Sequence, residues 1–180
     1  MISRFTALIL IVFLSPVFIL TSLYIFFLDG APVFFKQKRA GKLDTFFYIY
    51  KFRTMKKNTP DIPSDKLVTN PFYTGGNMLR KLSIDEIPQL INIVKGEMNF
   101  IGPRPALYNQ DYLILKRKEL NIDNFSPGIT GWAQINGRDK ITEDQKIELD
   151  HYYALNKSFR LDLEILLKTF IKVLSIKDIN

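Results

Sequence analysis

Residues 5 to 28 read FTALILIVFLSPVFILTSLYIFFL and carry no ionisable group across 24 positions. At about 1.5 Å per residue, such a run is long enough to cross a hydrocarbon core of about 30 Å. A cleaved signal peptide fits poorly, because the apolar stretch is too long and no small-residue cleavage site follows it. The segment is interrupted at its midpoint by Ser15-Pro16. Pro16 has no N–H to bond the carbonyl of Val12, so a helix kinks there, and the Ser15 hydroxyl is the nearest donor for the freed carbonyl. Each arm is then about 11 or 12 residues, roughly 16 to 18 Å, which is half a bilayer. That geometry suits a helix that enters the membrane, bends and comes back out. An ordinary spanning helix with a tolerated proline is the competing reading, and this stretch leaves both open.

The charge just beyond Leu28 bears on orientation. Between residues 36 and 57 lie Lys36, Lys38, Arg39, Lys42, Lys51, Arg53, Lys56 and Lys57 against the single acid Asp44, so this stretch alone equals the formal +7 of the whole chain. Cations flanking a membrane segment mark the cytoplasmic side. A patch binding lipid headgroups would account for most of them without any catalytic meaning. The expected partners are anionic: phosphates or lipid headgroups. Nucleic acid ranks behind these, because the basic cluster adjoins an apolar anchor. The absence of Cys excludes disulfides, thiolate zinc sites and a cysteine nucleophile. With 47% hydrophobic residues in 180, one domain with a real core is affordable even after the N-terminal segment is set aside.

Beyond the membrane segment, DGAPVFF reads as a turn leading into a short strand, with TFFYIYKF (45–52) as a second strand around the turn RAGKLD (39–44). Residues 58–77, rich in Pro, Gly, Asn and Thr, read as a long loop of lid-like length. Apolar residues at Ile87, Leu90, Ile91 and Val94 recur on one helical face that Gly96 ends, and Pro88 restricts the helix start to its immediate neighbourhood. Residues 106–119 are expected to be helical. WAQINGRD (132–139) suggests a short strand with an Asn136-Gly137 hairpin turn. Thr142 with Gln145 forms a capping-box pattern opening a helix to about residue 157. In the last helix Leu163, Leu166, Leu167, Phe170, Ile171 and Leu174 form one apolar stripe, the pattern of a core-facing helix more often than of one lying on a membrane.

Within SIDEIPQL (83–90), Asp85 and Glu86 stand side by side ahead of Pro88. Two like charges at about 4 Å repel by roughly 1 to 4 kcal/mol, so their adjacency needs a reason. A capping box between Ser83 and Glu86 is the bland one. Set against it are the phosphate-clamp candidates: Arg104 between two prolines in IGPRP (101–105), Arg138 after the turn in NGRD, and Arg80 just upstream of the pair. There is no Walker loop, no Gly-rich dinucleotide fingerprint and no Asp-x-Asp pair. His151 is the only histidine, and a lone helical histidine is more often structural. The carboxylate pair is what remains for nucleophilic or metal chemistry.

The ordered set of an apolar segment broken at SP, FKQKRAG, IYKFRTM, LRKLSIDEIPQLINIVKGEMNFIGPRP, PGITGWAQINGRD and DHYY resembles the bacterial sugar transferase family, the small monotopic phosphoglycosyl transferases that initiate capsule, O-antigen and related glycans. The resemblance covers almost the whole chain. It implies transfer of phospho-sugar from a UDP-sugar to a polyprenyl (undecaprenyl) phosphate with release of UMP. It further implies Asp85 as the nucleophile on the β-phosphorus and Glu86, with Asp85 beside it, as the Mg²⁺ site. Arg80, Arg104 and Arg138 would bind phosphate, with Lys51 and Arg53 as further contributors. GPRPALYNQ and GRDKITEDQK look closest to capsule enzymes acting on a 6-deoxy-N-acetylamino sugar.

One departure is that Arg4 precedes Ser15 by only 11 residues with no acid between, where the family has a Lys-Arg-x-x-Asp-like start and about one more helical turn. The expected fold is α+β and predominantly helical: a kinked re-entrant membrane helix (1–28), then a small cytosolic catalytic domain (29–180) with short β-hairpins and amphipathic surface helices. The expected location is the cytoplasmic face of the bacterial inner membrane, among its lipids. A non-catalytic, membrane-anchored basic module that binds anionic lipid or recruits biosynthetic partners is the alternative.

Overall fold

The computed structural model describes residues 2–60, 71–73, 75–137 and 141–175. Its architecture is α+β and mostly helical, with two small two-stranded sheets, and the chain divides into two compact units. Among the described residues, the first comprises those within 2–37 and 48–96, and the second those within 38–47 and 97–175.

In the first unit the apolar N-terminal stretch forms α1 (Ile2–Phe13) and α2 (Ser15–Asp29), bent by 61° at the break. Neither helix is long and apolar enough to cross a membrane alone; the bent pair together has the length and composition. Pro16 sits in the first turn of α2, where its missing N–H leaves no bond unmade in α2 itself. The Val12 carbonyl instead accepts from the Ser15 hydroxyl at 2.8 Å, as the sequence suggests. Most of the large apolar side chains of both helices face outward; Ile25 is buried and Phe18 packs beside it, while the small Ala7 and Thr21 are also buried. Ile25 packs with Phe52, Tyr73 and Leu79 in a small core.

The strands β1 (Phe34–Ala40) and β2 (Phe46–Phe52) form the expected hairpin. Its turn places Leu43 and Asp44 at positive φ, 50° and 58°, and Thr45 N–H reaches the Lys42 carbonyl at 3.2 Å. Two successive left-handed residues give the mirror-image turn whose twist matches that of the strands. The hairpin is followed in the first unit by α3 (Gly76–Lys81), a 3-10 turn (Ile84–Gln89) and α4 (Leu90–Lys95). Gly96 caps α4 at φ 83°, which is the stop the sequence predicts. Asn92 of α4, fully buried, accepts from Tyr50 N–H at 3.1 Å and donates to the Tyr48 carbonyl at 2.7 Å. One side-chain amide thus bonds the β2 backbone as a neighbouring strand's peptide would.

In the second unit, β3 (Asn99–Ile101) pairs in parallel with β4 (Gly128–Thr130) in the register Asn99–Gly128 and Ile101–Thr130. Helices α5 (Asp111–Glu119), α6 (Trp132–Asn136), α7 (Glu143–Asn156) and α8 (Phe159–Ser175) complete it. Two cores hold these elements. Ala106, Leu113, Ile122 and Ile147 form one; Ile135, Tyr153, Leu161 and Ile165 form the other. The Thr142–Gln145 capping box is present in full at the start of α7.

Four expectations need correction. The second sheet is a parallel pair rather than a hairpin, because β3 and β4 are joined through α5 and not by a tight turn. WAQIN is helical as α6: Ile135 N–H bonds the Gly131 carbonyl and Gly137 N–H the Ala133 carbonyl, which removes the Asn-Gly pair from any hairpin. The helix expected over 106–119 begins at Asp111, since Leu107 N–H is taken by the Gln110 side chain and Ala106 by the β1 strand end. In α8 the buried line is Leu161 and Ile165, four residues apart, while Leu163, Leu166, Leu167, Phe170 and Ile171 are exposed. The broad stripe faces away from the core, and Thr169, continuing the narrow line, bonds Thr130 at 2.7 Å. Of the expected loop over 58–77, residues 61–70 and 74 lie outside the described residues, and its end is helical as α3.

Replacing Asn92 by Ala leaves a part-buried donor and a part-buried acceptor of β2 without their partner. Each such loss costs about 1 to 3 kcal/mol, so Asn92→Ala is expected to lower unfolding free energy by roughly 2 to 4 kcal/mol, read from denaturant unfolding of the detergent-solubilised protein.

Candidate active site

Asp85 and Glu86 open the 3-10 turn that leads into α4, and Ser83 ahead of them is left-handed at φ 55°. Ser83 makes no side-chain capping bond, so the capping-box explanation of the pair fails. What Glu86 meets instead is Lys51 of β2: the ammonium lies 2.8 Å from Glu86 Oε1 and 3.9 Å from Asp85 Oδ2. All three side chains are largely buried, with 14% of Lys51, 5% of Asp85 and 17% of Glu86 exposed. At these distances in a partly desolvated setting, one cation between two anions offsets their mutual repulsion. The strand pattern explains its position. Phe47 and Ile49 are buried on alternate residues of β2, and Lys51 is the next in that series, so its amine is carried inward.

Arg53, grouped with Lys51 by sequence, has a different place. It is buried, and its guanidinium pairs with the Asp29 carboxylate and donates to the carbonyls of Gly30 at 2.6 Å, Pro32 at 2.6 Å and Asp29 at 3.1 Å. A cation on the last carbonyls of α2 satisfies acceptors that a helix end leaves open. Tyr73 sits beneath it, donating its hydroxyl to the Arg53 carbonyl at 2.8 Å, and burial pushes that hydroxyl's pKa up to about 12, so it remains a donor. Arg80 of α3 lies over the Phe72 ring at 5.7 Å, and its carbonyl accepts Ser83 N–H at 3.0 Å, shaping the turn into the pair.

Arg104 belongs to the second unit. Its carbonyl accepts from Arg117 at 2.8 Å, and Pro103 and Pro105 restrict the backbone on both sides. Arg138 lies outside the described residues. Among the described residues no three His, Asp or Glu side chains converge on a point.

Sequence reasoning missed three contributors. Asn92 carries no signal, being one polar residue inside an apolar helix. Asp29 is visible only as the first acid after the apolar run. Asp150, the first residue of the DHYY motif, turns inward and is fully buried against Arg117 at 2.5 Å. In the same motif Tyr152 stacks on Trp132 with centroids 5.3 Å apart, and the buried Tyr153 donates to Asp162 at 2.8 Å; burial and that bond raise its pKa.

The chain belongs to the bacterial sugar transferase family, whose model matches residues 1–176. It is 48% identical over 150 residues to the uncharacterised sugar transferase EpsL of Bacillus subtilis, covering 81% of this chain and 71% of that protein. It is 33% identical over 180 residues to the exopolysaccharide production protein ExoY of Sinorhizobium fredii, covering 91% and 79%. The UDP-glucose:undecaprenyl-phosphate glucose-1-phosphate transferase of Escherichia coli is 35% identical over 179 residues, which is 92% of this chain and 38% of that protein. The protein is thus an enzyme of the sugar transferase kind.

The two cations of IYKFRTM should separate by experiment. Lys51→Met is expected to lose about 10²-fold in transferase turnover, because the cation that orients Asp85 and Glu86 is removed, together with some stability, since two largely buried carboxylates lose their partner. Arg53→Met is expected to lose on the order of 3 kcal/mol of stability, because Asp29 and three carbonyls lose their partner. Melting curves and turnover measured on the same preparations check both.

Proposed function

We propose that the protein transfers phospho-sugar from a UDP-sugar to polyprenyl phosphate, undecaprenyl phosphate in a bacterial membrane, through a covalent aspartyl intermediate. The observation that carries this reading is the single ammonium of Lys51 shared by Asp85 and Glu86. The arrangement sets a cation against both carboxylates and orients them within a largely buried site, which suits a carboxylate nucleophile. The relatives' names add the acceptor and donor classes, since the E. coli protein is named for UDP-glucose and undecaprenyl phosphate.

In the first step an Asp85 oxygen bonds the β-phosphorus of the UDP-sugar, and the bond from that phosphorus to the bridging oxygen breaks, releasing UMP. In the second, a phosphate oxygen of the lipid attacks the same phosphorus, the aspartyl bond breaks, and the carboxylate is regenerated with the sugar diphosphate on the lipid. Splitting the exchange keeps a dianionic lipid phosphate from meeting a dianionic pyrophosphate directly. Lys51 steadies both carboxylates, and Arg80, Arg104 and Arg138 neutralise phosphate oxygens as UMP departs.

Mg²⁺ suits this donor set: it is commonly held by one or two carboxylates with the remaining positions filled by phosphate oxygens and water. The two carboxylates already converge on one cation, the Lys51 ammonium. Glu86, with Asp85 beside it, would hold the ion, which when bound screens the pyrophosphate charge. Among sugars, a 6-deoxy-N-acetylamino sugar is the first candidate, on the motifs GPRPALYNQ and GRDKITEDQK.

The same reading includes a re-entrant membrane segment with the site on the cytoplasmic face, where UDP-sugars are made. Both ends of the bent pair are tied to one unit: the Arg4 guanidinium lies over Gly96 at the end of α4, and Asp29 and Gly30 are held by Arg53 of the β2 end. A spanning helix would send those ends to opposite faces. The exposed Leu163, Leu166, Leu167, Phe170 and Ile171 of α8 suit the headgroup layer of the same membrane.

With the correct UDP-sugar and Mg²⁺ but no lipid acceptor, the protein is expected to release at most one equivalent of UMP and to gain the mass of a sugar phosphate at Asp85. Asp85→Asn abolishes turnover and Glu86→Gln removes most of it. Rates within a few fold of wild type for both variants, or lipid-dependent UMP release with no adduct ever trapped, would refute the covalent route.

Topology has its own test. The chain has no native Cys, so a single cysteine at Ser3 can be probed in intact cells with an impermeant thiol reagent. It is expected to react only after the membrane is opened, and labelling from outside would show a spanning helix.

A further inference from the structure

The segment carrying Arg104 is bonded with unusual completeness in the second unit. Four successive carbonyls each accept a hydrogen bond: Pro103 from Gly128 N–H at 3.0 Å, Arg104 from the Arg117 guanidinium at 2.8 Å, Pro105 from the Arg39 guanidinium at 3.0 Å, and Ala106 from Ala40 N–H at 2.9 Å. Backbone donors on β4 and at the end of β1 provide two of these. Arginine side chains provide the other two, at the Arg104 and Pro105 carbonyls.

The prolines leave one main freedom. Pro103 and Pro105 hold their own φ near −65°, and a residue before proline is confined to extended conformations. What they leave is the residual range of ψ at Arg104, within which the peptide plane between Arg104 and Pro105 can still tilt. Its carbonyl oxygen is the atom that Arg117 holds. The direction of the Arg104 stem from its Cα follows that plane.

Arg117 is itself held. It is nine-tenths buried, and its second nitrogen bonds the fully buried Asp150 at 2.5 Å. Burial pushes the Asp150 carboxyl up, and the guanidinium beside it works against that shift. Among the described residues, Arg117 Nε and Asp150 Oδ1 have no hydrogen-bond partner. Such a pair is poor at stabilising a fold, because apolar residues of similar volume commonly do as well or better once desolvation is counted. Its distinctive property is direction: a planar fork fixed by Asp150 at one prong presents the other to a single carbonyl.

We infer that Arg117 and Asp150 are positioning residues for Arg104: the buried pair sets the peptide plane that aims the Arg104 guanidinium at substrate phosphate. This rests on the proposed phosphate role of Arg104. It assigns a task to the aspartate of DHYY and to a residue, Arg117, that no motif marks.

The test is a double-mutant cycle on the full-length chain in detergent. Arg117→Lys keeps a charge for Asp150 but not the fork, so the Arg104 carbonyl loses its donor. Arg117→Met with Asp150→Leu removes the pair altogether and guards against a misfolded single variant. Both are expected to melt close to wild type while UMP release falls at least about tenfold. Arg104→Ala alone is expected to cost about 10² to 10³ in rate. In either pair-altered background it should cost less than about tenfold more, since a misaimed guanidinium has little left to lose.

A full, unchanged cost of Arg104→Ala in both backgrounds overturns the inference. Hydrogen exchange gives a reading that does not depend on turnover. The Arg104 and Ala106 amides should exchange faster in Arg117→Lys while α7 amides stay as in wild type, and unchanged exchange at 104–106 also overturns it. Absence of UMP release from wild-type protein with every UDP-sugar would sink the proposed function, while the exchange experiment would still decide the positioning.

Discussion

A two-stranded hairpin leaves the outer edge of each strand with unmade backbone hydrogen bonds and is marginal by itself in water. In this protein the β2 edge is bonded by one side chain, the buried amide of Asn92, which bonds Tyr50 N–H and the Tyr48 carbonyl. That bond fixes α4 to β2, and with it the turn that precedes α4. The residues that follow Tyr50 then have their tasks set by strand geometry. Lys51 reaches the carboxylate pair, Phe52 enters the small core with Ile25, and Arg53 closes the end of α2.

The neighbouring cations Lys51 and Arg53 illustrate how burial sorts like charges. Lysine presents a compact ammonium, which can stand between two carboxylate oxygens of different residues. Arginine presents several donors in a plane, and four oxygens around the end of α2 match it. Exchanging the two would leave a carboxylate pair facing a fork too broad for it and a helix end with too few donors. A like argument applies in the second unit, where Arg117 bonds a carboxylate and a carbonyl with two prongs of one guanidinium.

Outward-facing apolar surface occurs in each of the two units. In α1 and α2 most large side chains point away from the protein, and in α8 the wide Leu stripe does the same while only Leu161 and Ile165 enter the core. A large apolar surface exposed to water would be costly at about 25 cal/mol per Å². In the membrane placement proposed above, in hydrocarbon or at its interface, that cost vanishes. Helix amphipathicity alone does not reveal which side of a helix meets protein, and α8 is the case where it misled.

The amino-acid sequence by itself determined the elements that depend on local covalent chemistry. The break at Ser15-Pro16 follows from a missing N–H, the hairpin around RAGKLD from strand patterning, the end of α4 from a glycine, and the α7 start from a reciprocal cap. The ordered motifs named the family, and the family model agrees. Only the tertiary structure decided what depends on residues distant in sequence. Ser83 does not cap, because its backbone is left-handed and Glu86 finds Lys51 across 35 positions. WAQIN is a helix because Ile135 is drawn into a core with Tyr153, Leu161 and Ile165, which an Asn-Gly signal cannot anticipate. Arg53 and Arg117 look like any other cations in the sequence. Their partners, the end of α2 and the buried Asp150, are supplied by packing, and a guanidinium's role is set by the oxygens it meets.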